Sequence, residues 1–157
     1  MNTGKHNQSK LTMEQNMGTG YTYTCGCKAP QPLMIGAGKQ TPKLCADTWS
    51  DMMKGKYGEM WKRAVTTHPD GGLDCSYEIY VCDCGHWERD TRRTLWQNGD
   101  KNHCKSRLPR NRAIKPCYHV CPECGKRMRI ADFENDRLTC PECGEEMKDF
   151  KPAILWD

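Results

Sequence analysis

Residues 121–144 read CPECGKRMRIADFENDRLTCPECG, and this stretch decides how the chain folds. It holds Cys121-Pro-Glu-Cys124-Gly and Cys140-Pro-Glu-Cys143-Gly, with fifteen residues between Cys124 and Cys140. In such a knuckle the tight turn directs both thiolates to one point, and the glycine permits the backbone turn that faces amides towards the sulfurs. Two knuckles at this spacing predict one closed tetrahedral site of four thiolates, Cys121, Cys124, Cys140 and Cys143, at the ends of a β-hairpin. Soft thiolates select zinc or iron, and a closed four-cysteine site with no redox context favours zinc.

At these residues the chain resembles the zinc-ribbon superfamily, over roughly residues 117–149. The resemblance implies a structural element or one that contacts nucleic acid or protein, because ribbons share a fold and no single activity.

Outward from the ribbon, Cys25-Gly-Cys27 and Cys82-Asp-Cys84-Gly85 are knuckles shortened by one residue, each preceded by a β-prone segment. They predict a second zinc site formed by Cys25, Cys27, Cys82 and Cys84, closed across whatever lies between. A competing arrangement uses one pair with His86, His103, Cys104 or Cys117, all near in sequence. Cys45 falls in an apolar helical pattern and reads as a small core residue, and Cys75 and Cys117 read as buried thiols.

Between the short knuckles, Leu44, Cys45, Thr48, Trp49, Met52 and Met53 recur at helical spacing after Thr41-Pro42, an N-cap followed by proline at the first turn, and stop at Gly55. Tyr57, Met60, Trp61, Ala64, Val65 and His68 form a second set that ends at Pro69-Asp70-Gly71-Gly72. Tyr77, Ile79 and Val81 alternate as a strand, Arg89 to Trp96 reads as another, and 153–156 is a short apolar run suited to covering a sheet. The expected fold class is α+β, small zinc-stapled β-ribbons with a two-helix insertion. Its expected organisation is a mobile tail over 1–20 and a split knuckle domain over 21–115. That domain carries the helical insert at about 42–67 and a basic segment at 89–115, and a C-terminal four-cysteine ribbon follows over 116–157.

Composition explains why metal is needed. Leu, Ile, Val and Phe together supply 18 of 157 residues, whereas cysteine supplies 12. That is far below the roughly one-fifth of large apolar residues expected of a chain that folds on its core alone. No apolar run approaches the 18 or so residues of a membrane helix, and the polar start MNTGKHNQSK lacks a secretory leader. A reducing cytoplasmic location is therefore expected, where paired cysteines bind metal rather than each other.

Charge is uneven along the chain. Residues 1–88 are neutral, 89–115 carry +7, and 116–157 carry −3. The basic segment holds Arg89, Arg92, Arg93, Lys101, Lys105, Arg107, Arg110, Arg112 and Lys115 beside Trp87 and Trp96. Arginines suit phosphates through bidentate contacts, and aromatics stack on bases. Arg89, Arg92, Arg93, Lys105, Arg107, Arg110, Arg112, Trp87 and Trp96 are thus the candidate contacts to nucleic acid or a nucleoprotein. A solvated loop that balances the acidic ribbon fits the same residues. The alternative partner is a host protein such as a polymerase or a defence nuclease, gripped by exposed Trp and Met of the helical insert.

Catalytic patterns are weaker. His86-Trp87-Glu88 followed by Pro116-Cys117 resembles the zinc-deaminase signature, but three residues rather than two separate Cys117 from Cys121. Gly36-Ala37-Gly38-Lys39 is half a phosphate loop, with Leu33 where the first glycine belongs. Asn102-His103-Cys104 resembles part of a nuclease motif and lacks its following helix and second histidine. These patterns leave a zinc-dependent enzyme acting on nucleic acid as the least supported reading. No catalytic residue is assigned.

More broadly the layout is similar to small uncharacterised bacterial and prophage proteins, on the blocks Cys25 to Gly38, Val81 to Trp87 and Tyr118 to Trp156. That resemblance implies an architecture and supplies no activity.

Overall fold

Strand β1 (Gly18–Thr24) lies antiparallel to the final strand, β10 (Glu146–Trp156), so the first and last described elements are hydrogen-bonded neighbours. The computed structural model describes residues 18–97 and 113–156, without the side chains of residues 113 and 154–156. The tail expected over 1–20 falls outside this range up to residue 17, and Gly18 to Gly20 belong to β1. A four-stranded sheet runs in the order β2 (Leu33–Ile35), β1, β10, β9 (Leu138–Thr139).

Two smaller sheets follow from the middle of the chain. One has the order β3 (Gly72–Asp74), β6 (Thr94–Trp96), β7 (Ala113–Lys115). The other has the order β5 (Trp87–Thr91), β4 (Tyr77–Val81), β8 (Arg129–Ile130). The single strand expected from Arg89 to Trp96 is thus two strands in different sheets. They are separated at Arg92 and Arg93, where the Arg92 amide donates to the Ser76 carbonyl.

Helices α1 (Thr41–Met53) and α2 (Glu59–Thr67) match the two apolar stripes. The cap differs from expectation: Gln40 is the N-cap without a side-chain hydrogen bond, and Thr41 Oγ1 instead accepts from the Gly38 amide at 2.7 Å. The helices pack on β3 and β6 through Cys45, Met52, Val65, Leu73, Cys75 and Leu95, each at most 1% exposed. Cys45 is a core residue as expected but is disulfide-bonded, contrary to the expectation that the cysteines pair only through metal. Burial pushes the Cys75 thiol up to about 12, and Cys117 is only half-buried.

A second core joins the large sheet to β4 through Tyr23, Leu33, Ile79, Val81, Leu138 and Met147. The third cluster is small and consists of Tyr80, Met128, Cys82 and Cys121. Burial at roughly 25 cal/mol per Å2 cannot make so small a cluster stable alone. Two of its four members are thiols suited to metal.

Candidate metal centres

Three of the four knuckles are built the same way. The Cys121 amide donates to the Lys126 carbonyl at 2.8 Å and the Gly125 amide to the Cys121 carbonyl at 2.9 Å. The Cys140 amide donates to Glu145 at 2.7 Å and the Gly144 amide to Cys140 at 2.8 Å. The shorter Cys82 knuckle repeats this with His86 and Gly85 at 2.9 and 3.0 Å. Gly85, Gly125 and Gly144 all have φ between 73° and 96°, with open space where a Cβ would sit, so the backbone conformation alone selects glycine. In the Cys25 knuckle neither ground requires glycine: Gly26 has no positive φ, and a Cβ there would meet only the movable carboxylate of the exposed Glu145, at 2.8 Å.

These turns assemble two tetrads of sulfurs, and within each the four Sγ atoms lie within 4.8 Å of one another. The partition differs from the sequence reading. Cys25 and Cys27 join Cys140 and Cys143, while Cys82 and Cys84 join Cys121 and Cys124. The two Cys-Pro-Glu-Cys knuckles do not share a site, and neither do the two short ones.

Strand pairing decides this. Thr24, the last residue of β1, pairs with Lys148 near the start of β10, so Cys25 arrives beside the turn of Cys140 to Gly144. Val81, the last residue of β4, pairs with Arg129 of β8, so Cys82 arrives beside the turn of Cys121 to Gly125. A ribbon hairpin would have paired the strand after Cys124 with the strand before Cys140. Instead β8 is taken by β4 and β9 by β10. The intervening turn folds on itself, with Arg129 in a bidentate bridge to Asp136 and the Asp132 amide donating to Asp136.

The sulfur spacing fits zinc. Zn–S bonds of about 2.3 Å at tetrahedral angles place sulfurs about 3.8 Å apart. The separations here are 3.8 Å for Cys27–Cys140, 3.4 Å for Cys82–Cys124 and 3.6 Å for Cys84–Cys121. Backbone amides also favour thiolate. The Cys84 amide brings the Cys82 thiol down to about 7, and the amides of Cys143 and Glu142 do the same for Cys140. Cys82, Cys121 and Cys140 are buried while Cys84, Cys124 and Cys143 are exposed, so both centres sit at the protein surface. These donor sets hold two zinc ions. Four thiolates occupy every position of a tetrahedral ion, which suits a structural role.

The remaining candidate residues are dispersed by the structure. Arg89 donates to the Met34 carbonyl at 2.6 Å and lies 3.7 Å over the Tyr77 ring. Arg93 clamps the Asp90 carboxylate at 3.1 and 3.3 Å. Trp87 Nε1 donates to the Thr139 carbonyl at 2.8 Å, and Trp96, expected on a binding surface, is instead only 3% exposed inside the protein. Lys105, Arg107, Arg110 and Arg112, with Lys101, His103 and Cys104, lie outside the described residues.

The sequence reading passed over Tyr118 and Arg127. They flank the Cys121 knuckle across the Val120–Arg127 bridge, and the Arg127 guanidinium lies 3.5 Å over the exposed Tyr118 ring. Both line a cavity of about 560 Å3 with Arg92, Arg129, Tyr80 and His119. An aromatic residue and an arginine on either side of a knuckle are the signal that could have found them.

Among the described residues no helix is long and apolar enough to cross a membrane. No curated protein and no solved structure matches the chain. Residues 119–153 match the family described as TFIIB zinc-binding. The match covers both Cys-Pro-Glu-Cys knuckles, which here serve different tetrads. Residues 119–153 are thus a zinc-ribbon segment similar to the TFIIB zinc-binding family, with its two knuckles completed by cysteines from the first half of the chain.

Proposed function

We propose that this protein is a zinc-ordered binding module that presents a basic surface to nucleic acid or a nucleoprotein complex. The observation that carries the reading is the Arg127–Tyr118 stack at the edge of a cavity also lined by Arg92 and Arg129, with Asp83 the one acidic residue of its lining. Guanidinium groups beside an exposed ring suit a phosphate backbone with a neighbouring base. Sequence charge supports the same reading, because residues 89–115, which include Arg92, carry +7. Arg107, Arg110 and Arg112 of that segment are assigned to phosphate contacts.

An electrophoretic shift titration at two salt concentrations tests the reading. Wild type is expected to bind single-stranded RNA or DNA at low salt and to weaken steeply as salt rises. Replacing Arg107, Arg110 and Arg112 by Ala is expected to flatten that slope, and Tyr118→Ala to lower affinity by about 1–3 kcal/mol at any salt. Absence of binding at low salt would defeat the proposal.

A second reading rests on a separate observation. Met53, Tyr57 and Met60 are exposed on the helix pair, Met60 at 74%, and form an apolar surface suited to a protein partner. Under that reading the chain is a phage-type adaptor or inhibitor acting on a host protein, and its binding is insensitive to salt. Both readings place the molecule in the cytoplasm.

A further inference from the structure

The alternation of β5 sends Trp87 and Arg89 to one face and Glu88 and Asp90 to the other. Their partners on β4 are Tyr80 opposite Glu88 and Glu78 opposite Asp90, so three carboxylates and a tyrosine share one face. The segment leading into the Cys121 knuckle lays His119 on this face, its ring stacked on Tyr80 with centroids 3.6 Å apart. One donor atom from each of Glu88, Asp90 and His119 lies within 4.8 Å of the others.

Two features set this cluster apart from an ordinary surface group of acids. The His119 side chain is only 3% exposed; its Nδ1 faces Asp90 Oδ2, and its Nε2 is buried with no hydrogen-bond partner. Beside the other carboxylate, Glu88, His86 Nε2 is also buried and without a hydrogen bond. The carboxylate–imidazole separations are 3.4 Å for Asp90–His119 and 3.6 Å for Glu88–His86. Those are long for hydrogen bonds. The Asp90–His119 separation matches donor atoms that share an ion, because bonds of about 2.1 Å at tetrahedral angles separate the donors by about 3.4 Å.

We infer that Glu88, Asp90 and His119 form a third metal site, for a divalent cation that prefers oxygen and imidazole donors. Arg93 donates to both Asp90 oxygens, at 3.3 Å to Oδ1 and 3.1 Å to Oδ2, and the Thr91 amide adds a bond to Oδ1, so what Asp90 offers a cation is the remaining lone pair of Oδ2, the oxygen that faces His119. With Arg93 counted, the two carboxylates leave one negative charge for the cation to neutralise. Three protein donors leave coordination positions for water or an anion, and His119 also lines the arginine-bearing cavity of about 560 Å3. The thiolate tetrads and this cluster differ in softness, so the cluster is addressable by manganese while zinc stays on sulfur.

The test uses the full chain loaded with zinc, titrated with Mn2+ and followed by the paramagnetic resonance of free Mn2+, with zinc content measured by mass spectrometry. One Mn2+ per chain is expected to bind with two zinc ions retained. Glu88→Gln, four residues from the nearest cysteine ligand, and His119→Gln are each expected to weaken Mn2+ at least about tenfold. Saturation without Mn2+ uptake, uptake that releases zinc, or equal uptake by Glu88→Gln would each overturn the site.

Discussion

The two tetrads have the same ligands, yet they close very different surroundings. Cys25, Cys27, Cys140 and Cys143 sit at the end of a four-stranded sheet backed by Tyr23, Leu33, Ile79, Val81, Leu138 and Met147. Cys82, Cys84, Cys121 and Cys124 sit on a three-stranded sheet whose buried cluster offers only Tyr80 and Met128 besides two of the ligands themselves. The first centre fastens a structure that already has apolar support. On its own face the second has little else to hold its strands, β4 reaching the larger core through Ile79 and Val81 on the opposite face, so there metal takes the place of a core.

The largest effect that probes this contrast is removal of both ions. Binding of a structural zinc contributes on the order of 10 kcal/mol, comparable with the roughly 5–15 kcal/mol that keeps a domain folded. Strong chelation is therefore expected to unfold the protein, with loss of strand signal in circular dichroism. Retained signal would show that the apolar clusters suffice.

Next comes loss of one centre, which also tests the partition. A Cys82→Ala/Cys121→Ala chain removes two ligands from one tetrad and is expected to keep one zinc by native mass spectrometry. A Cys82→Ala/Cys140→Ala chain damages both tetrads and is expected to keep none. The reverse pattern for a hybrid of Cys121 with Cys140, retention of one ion by Cys121→Ala/Cys140→Ala, would restore the ribbon pairing. Hydrogen exchange on the first of these chains should rise across 77–91 and 118–130 while β1 and β10 stay protected.

The smallest effect concerns the link between the two halves. Trp87, on β5 of the smaller sheet, donates to the Thr139 carbonyl on β9 of the larger one. Trp87→Phe is expected to cost about 1–2 kcal/mol in chemical denaturation without changing zinc content. An unchanged midpoint would mean that the shared apolar core joins the regions without this bond.

Much of the local structure was legible. The apolar stripe from Leu44 to Met53 gave α1, the alternation of Tyr77, Ile79 and Val81 gave β4, and the glycine after Cys84, Cys124 and Cys143 marked a left-handed turn. Thr41 was misread as the cap because Thr-Pro is a common helix start, whereas its hydroxyl turns back to Gly38. The segment Arg89 to Trp96 was misread as one strand because its composition carries no mark of the change of sheet at Arg92. Trp96 was read as a stacking surface because arginines surround it in sequence, and only its place opposite Gly72 and beside Ala113 buries it.

By itself the sequence determined the eight thiolates, the knuckle turns and the need for metal, because these follow from residue type and spacing over five positions or fewer. It did not determine which knuckles meet. Loop closure distinguishes near from far only weakly, each doubling of loop length costing about 0.6 kcal/mol, so a site between Cys25 and Cys143 is hardly less accessible than one between Cys124 and Cys140. The pairing of β1 with β10 and of β4 with β8, each carrying a row of hydrogen bonds and a buried face, outweighs that difference. Tertiary structure alone also brought His119 over Glu88 and Asp90, across 29 positions of chain from Asp90, through the stack on Tyr80. Proximity in sequence proposed one assignment of the cysteines, and long-range strand pairing set another.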